Sequence, residues 1–139
     1  MAEDWLGVPF RMHGRDKSGC DCIGLIIGIL HENNIISNDD FIRLNKIRYG
    51  TNLSKITDDV LHKEILRFFR PTQFLNKADI LIMKTKNSPL HFAIHRYNIQ
   101  NNGNEIIHAS NEVKMVCKIN LDNQLYTISE FYYLEIKNF

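Results

Sequence analysis

Cysteine is scarce in this chain and odd in number: three in 139 residues, at Cys20, Cys22 and Cys117. An odd count without paired spacing argues against a disulfide scaffold and leaves at least one thiol unbridged in a monomer. The Cys20-x-Cys22 spacing also fits poorly with a structural zinc site, whose cysteines usually have roughly two to four residues between them. A dominant charge is missing as well. Seventeen Lys and Arg oppose sixteen Asp and Glu, and neither sign forms a run, so there is no electrostatic footprint of a nucleic-acid or membrane-surface binder. Arg67-Phe68-Phe69-Arg70 mixes bases with aromatics, but at helical spacing it is expected to be a core edge with solvated ends.

Long apolar runs are absent too. The longest stretch, Ile23 to Leu30, falls far short of the roughly 20 residues that span a bilayer. The opening Met1-Ala2-Glu3-Asp4-Trp5 lacks the basic and apolar regions of a secretory signal. The expectation is a protein that is cytoplasmic as synthesised, without membrane insertion and without a nucleic-acid partner. The sequence also has no internal repeats and no low-complexity segments. What is present is an ordinary globular balance, 44% apolar and 24% charged, at a length that suits one domain over residues 1–139.

Ile23, Ile26, Ile27 and Leu30 recur at helical spacing, which predicts a helix starting near Asp21 or Cys22 and stopping at Asn33-Asn34. Its β-branched residues make burial, not propensity, the force that holds it. Ser37 to Asp40 offers caps for a short helical piece, and Gly50-Thr51-Asn52 is expected to be a loop. Thr57-Asp58-Asp59 is expected to cap a helix carrying Val60, Leu61, Ile65, Leu66 and Phe69, with Pro71 as its stop. Apolar strand-like runs follow at 79–83, 91–97, 105–109, 113–119 and 131–136, with a hairpin turn at Asn101 to Asn104. Helices before strands predict an α+β domain with a mainly antiparallel sheet.

A cysteine at a helix N-terminus gains from unpaired amides and the helix dipole, both of which favour thiolate. Cys22 holds that position, whereas Cys20 and Cys117 are expected to be small core residues. A nucleophilic thiol needs a base, and the base needs an orienting partner. His91 opens one predicted strand and His108 closes the next, so an antiparallel pairing can bring both rings to one face. His95 shares the face of His91 by the period of two, and His13 lies in the loop before the helix. His31 and His62 are expected on helix surfaces.

The segments Trp5-Leu6-Gly7-Val8-Pro9-Phe10, His13-Gly14-Arg15 and Gly19-Cys20-Asp21-Cys22-Ile23-Gly24-Leu25 resemble the N-terminal signature of the NlpC/P60 cysteine peptidases, most of all their phage-associated branch. Ala78-Asp79-Ile80-Leu81, Pro89-Leu90-His91-Phe92-Ala93-Ile94 and Ile106-Ile107-His108-Ala109-Ser110 resemble that family's second half, in the same order. Residues 33–77 are unmatched. The resemblance implies a pared-down papain-like fold, with the helix that carries the nucleophile packed on the sheet. It makes Cys22 the nucleophile, His91 its base and His108 the orienter, with no cofactor and no metal. The implied reaction is hydrolysis of an amide in peptidoglycan stem peptides, typically after a γ-D-glutamyl residue. Phage tail proteins are the implied partners, and a phage virion or release to the cell wall the implied destination.

Three positions depart from the family pattern. Phe10 stands where many members carry a tyrosine whose hydroxyl helps bind the oxyanion, Ala78 where Gly is usual, and Ala93 where Gly often follows the strand histidine. Phe10, His13, Asp21 and His95 complete the candidate oxyanion and substrate-site residues, with His13 a substitute donor for the missing hydroxyl. The sequence also accommodates a catalytically silent tail or wall-binding module, another acyl transfer such as amidase or transpeptidase chemistry, and a metal-binding module built from Cys20, Cys22, His91, His95 and His108.

Overall fold

The computed structural model describes residues 2–47, 59–85, 88–121 and 127–135. The loop expected at Gly50 to Asn52 and the caps expected at Thr57 and Asp58 lie outside them, as do the side chains of Val60 and His62.

Helix α1, Cys22–Glu32, forms where the apolar spacing predicts it. The Asp21 carboxylate caps its start by accepting from the Gly24 N–H at 2.7 Å, which satisfies one of the orphan amides of the first turn. Asn33 ends it, its side-chain amide donating to the Ile29 carbonyl at 2.9 Å. Cys22 to Leu30 is buried without a break, so α1 is a core helix covered on every side, not an amphipathic surface helix. Helix α2, Asn38–Asn45, takes Ser37 as its cap, the hydroxyl accepting from Asp40 N–H. Helix α3, Asp59–Leu66, buries Leu61 and Ile65.

Pro71 is not what stops α3. The helix ends at Leu66, and Arg70–Thr72 forms strand β3 instead. Before α1, Arg15–Asp16 (β1) and Gly19–Cys20 (β2) make a two-stranded hairpin. The remaining strands are β4 (Ile80–Thr85), β5 (Ser88–Asn98), β6 (Gly103–Ser110), β7 (Met115–Asn120) and β8 (Thr127–Tyr133). They join β3 in a six-stranded sheet of order β3-β8-β4-β5-β6-β7, antiparallel at every pairing. At the edge, β3 tolerates Pro71 because a ladder N–H is dispensable there. The domain is α+β with a mostly antiparallel sheet.

The two faces of the sheet separate by strand alternation. Ile80, Ile82, Phe92, Ile94, Ile107 and Ala109 pack with α1 in the main core. Leu81, Met83, Ala93 and Ile106 form a second cluster with Ala78, flanked by Leu75, Ile119 and Phe131. The N-terminal segment shields β7: Gly7 N–H donates to Val116 O, Val116 N–H to Val8 O, and Phe10 N–H to Lys114 O. It leaves that edge less open to pairing with another chain. Among the described residues no helix is long and apolar enough to cross a membrane.

Two further expectations change. Val113 lies in the turn before β7 and is exposed, because the hairpin from β6 uses Asn111 to Lys114, with Lys114 at a positive φ of 70°. His31 is half-buried and not a free surface group. Its ring stacks on Phe41 at 3.9 Å and bonds Asn38 Oδ1 at 2.8 Å, which fastens α1 to α2.

Candidate active site

Cys22 is the first residue of α1, held by a loop that the sequence builds around glycine. Asp21 is fully buried, and besides capping the helix it accepts from the His13 backbone N–H at 2.8 Å and from Arg15 Nη1 at 3.3 Å. The loop lies against the helix so closely that a Cβ on Gly24 would fall 1.7 Å from the Gly14 carbonyl oxygen. A Cβ on Gly14 would fall 2.1 Å from the Gly19 carbonyl oxygen. No other residue fits either place without moving backbone. Asp21 is thus a positioning group that welds the His13-Gly14-Arg15 loop to the start of α1.

Cys22 is only 1% exposed. The backbone N–H groups of Phe92 and Ile23 hydrogen-bond to it, so it meets β5 at the residue that follows His91. Burial pushes this thiol up to about 12, and the Asp21 carboxylate adds to the push. The two amides and Arg15 pull the other way without prevailing. The expected thiolate stabilisation is overturned: the helix-end amide is there, but desolvation of the charged form outweighs it. At neutral pH Cys22 should therefore alkylate on the order of a thousand times more slowly than an unhindered thiol, accelerating with pH towards 12. Mass-mapped alkylation against pH checks this, and a midpoint at or below the ordinary thiol value would contradict it.

The two histidines expected to meet do so. His91 Nε2 and His108 Nδ1 stand 2.8 Å apart, with the rings near perpendicular at 88°. Both rings are buried, His91 at 7% and His108 at 4% exposure. The pairing of β5 with β6 starts at Ile94↔Ile107, so the pair lies just past the end of that ladder. Burial lowers His91 to about 3, with a further push from His108, and burial alone lowers His108 to about 4. Both rings are neutral near pH 7, and the bond between them uses the single N–H of one ring.

The other ring nitrogen of His108 has a partner that the sequence reading missed. Cys117 Sγ lies 3.6 Å from His108 Nε2, and the two residues are directly opposite in the β6–β7 register. Cys117 is half-buried and its thiol is raised by burial. Recognising a four-residue turn at Asn111 to Lys114 would have aligned them from sequence.

The remaining candidates fall elsewhere. His95 donates from Nδ1 to the Ala78 carbonyl at 2.9 Å and bonds the Asn104 side-chain amide through Nε2 at 2.8 Å. It clamps β5, β6 and the turn before β4, and is not brought to the His91–His108 pair. Ala78 itself has φ −76° and ψ 135°, an extended conformation with no need of glycine, and Ala93 packs in the second cluster. Phe10 is half-buried, bridged to Cys20 next to the Cys22 turn, and offers no hydroxyl. His13 has an exposed side chain and a positive φ of 66°. It lines a cavity of about 430 Å³ with Arg11, Arg15, Phe41 and Asn45. Cys20 is buried, its thiol also driven to about 12, and all three cysteines are unbridged. Among the described residues no three His, Cys, Asp or Glu side chains gather as a metal site would require.

No protein-family model matches the chain, and no curated protein matches it.

Proposed function

We propose that this chain is a papain-like cysteine hydrolase of the NlpC/P60 kind, cutting amide bonds in peptidoglycan stem peptides after a γ-D-glutamyl residue. The observation that supports it best is the 2.8 Å pairing of two buried imidazoles beside the strand position where the Cys22 sulfur docks. His91 and His108, the residues this reading makes base and orienter, are thus joined, and Cys22 meets the strand residue that follows the base.

Because the thiol is raised and the imidazole lowered, the resting pair is neutral on both sides. Catalysis proceeds by general base, without a preformed thiolate–imidazolium pair. The His91–His108 bond uses Nε2, so His91 Nδ1 takes the thiol proton as sulfur attacks the carbonyl carbon. The same nitrogen returns that proton to the leaving amine, giving a thioester. Water, deprotonated by His91, then releases the carboxylate and restores the thiol. The backbone N–H of Cys22, in the first turn of α1, is the donor for the oxyanion. Phe10 supplies none, and His13, whose side chain lines a separate cavity with Arg11, Phe41 and Asn45, is not placed to replace it.

The burial of Cys22 favours a second reading, a catalytically silent module of the same fold serving a phage tail or binding cell wall. Digestion of purified peptidoglycan separates the two. The hydrolase releases stem-peptide fragments whose masses name the scissile bond, and Cys22→Ala releases none. An absence of fragments from the unaltered chain, where a related enzyme cuts, favours the silent module.

A further inference from the structure

We propose that two adjoining cavities at the β3 edge of the sheet form a glycan-binding site, which takes a short stretch of a chain of N-acetylated amino sugars with Phe74 as its stacking platform. That this glycan is the strand carrying the stem peptides rests on the hydrolase reading above, whereas the site itself does not.

The platform is an aromatic ring held in the open on fixed backbone. Phe74 is 59% exposed, yet its N–H donates to Thr72 Oγ1 at 3.2 Å and its carbonyl accepts from Lys77 N–H at 3.1 Å. The Lys77 ammonium stands 5.4 Å from the ring centroid. The ring borders a cavity of about 720 Å³ together with Thr72, Gln73, Lys77 and Tyr133, a size within the roughly 300–1,000 Å³ of small-ligand pockets. A second cavity of about 380 Å³ adjoins the first, because Pro71, Thr72 and Gln73 line both, and it adds Glu130, Phe131 and Tyr132.

The lining chemistry names the ligand class. Among the described residues each cavity has one charged side chain, Lys77 in the larger and Glu130 in the smaller, so the two together suit a ligand without net charge. The rest of the lining is aromatic rings, an amide, hydroxyls and a proline. Sugars match that mixture: their C–H faces lie on aromatic rings, while their hydroxyl and N-acetyl groups bond amides and hydroxyls at the rim. A peptide added as a further strand is the poorer occupant, because β3 is three residues long and its central Pro71 has no N–H for a ladder. Two cavities that share one edge accommodate consecutive units of a chain.

The test is calorimetric titration of the full chain with the tetramer of N-acetylglucosamine and with peptidoglycan strands stripped of their stem peptides. Both are expected to bind. Phe74→Ala should weaken them about ten-fold, the worth of one well-placed aromatic contact, and Phe74→Trp should keep them. Phe74 is exposed, so neither substitution disturbs the core. For hydrolysis, Phe74→Ala should raise KM for intact peptidoglycan about ten-fold with kcat unchanged, and leave cleavage of an isolated stem peptide as it was. Failure of the unaltered chain to bind either glycan overturns the proposal, as does glycan binding that ignores Phe74→Ala. An isolated stem peptide that binds the unaltered chain and is lost in Phe74→Ala also overturns it, in favour of a peptide site. A chain that binds the glycans but cuts nothing defeats the hydrolase reading and leaves the site standing.

Discussion

Cys22→Ser and His91→Gln should each lower peptidoglycan hydrolysis by at least about 10,000-fold, and the double variant should be no slower than the slower single. The non-additivity follows from the neutral resting pair. With the Cys22 thiol near 12 and His91 near 3, neither group is activated alone, and rate arises only when the proton crosses as sulfur attacks. Gln at position 91 is chosen because its amide can still bond His108, so the buried ring is not left without a partner. Progress curves for the four proteins on one peptidoglycan preparation provide the measurement. Additive losses would mean that the two residues serve separate steps, and a His91→Gln enzyme within about ten-fold of the unaltered chain would remove His91 as the base.

The same geometry shows why some of this site was legible in sequence and some was not. Short-range features could be read directly: the period of the isoleucines put Cys22 at a helix start, and a turn, expected at Asn101 to Asn104 and formed two residues earlier at Ile99 to Asn102, joins the histidine strands. The thiol's environment could not be read that way. A helix N-terminus argues for a low value, but the burial that opposes it comes from the sheet, and only the packed structure shows the sulfur docked on Phe92. His95 was ambiguous for a similar reason, since its two partners come from Ala78 and Asn104, residues brought to it only by the pairing of three chain segments. Pro71 misled because a proline reads as a helix stop, whereas here it sits on the edge strand β3. Cys117, expected to be a small core residue, is half-buried opposite His108, because the turn at Asn111 to Lys114 sets the β6–β7 register.

Acid should unfold this domain earlier than its near-neutral charge balance suggests. His91 and His108 are held at about 3 and about 4 in the fold, against 6.5 for an ordinary histidine. Below 6.5 the unfolded chain takes up two protons that the folded chain refuses. The stability of the neutral pair is therefore fully present above 6.5 and is lost as pH falls, until the folded rings titrate near 4 and 3. Each ring removes about 1.4 kcal/mol per pH unit in that window. From pH 7 to pH 5 the two together cost about 4 kcal/mol, a large share of the 5–15 kcal/mol typical of a domain. The surface carboxylates change little of this. Glu3, paired with Arg96, and Asp16, bonded to Ser18, are also lowered, but they are solvent-screened. Urea unfolding at pH 7, 6 and 5 measures the slope, and His108→Asn should reduce it by about half because one refused proton is gone. Stability that stays level from pH 7 to pH 5 would mean that one or both rings are charged in the fold, and a charged His91 has no lone pair with which to serve as the base for Cys22.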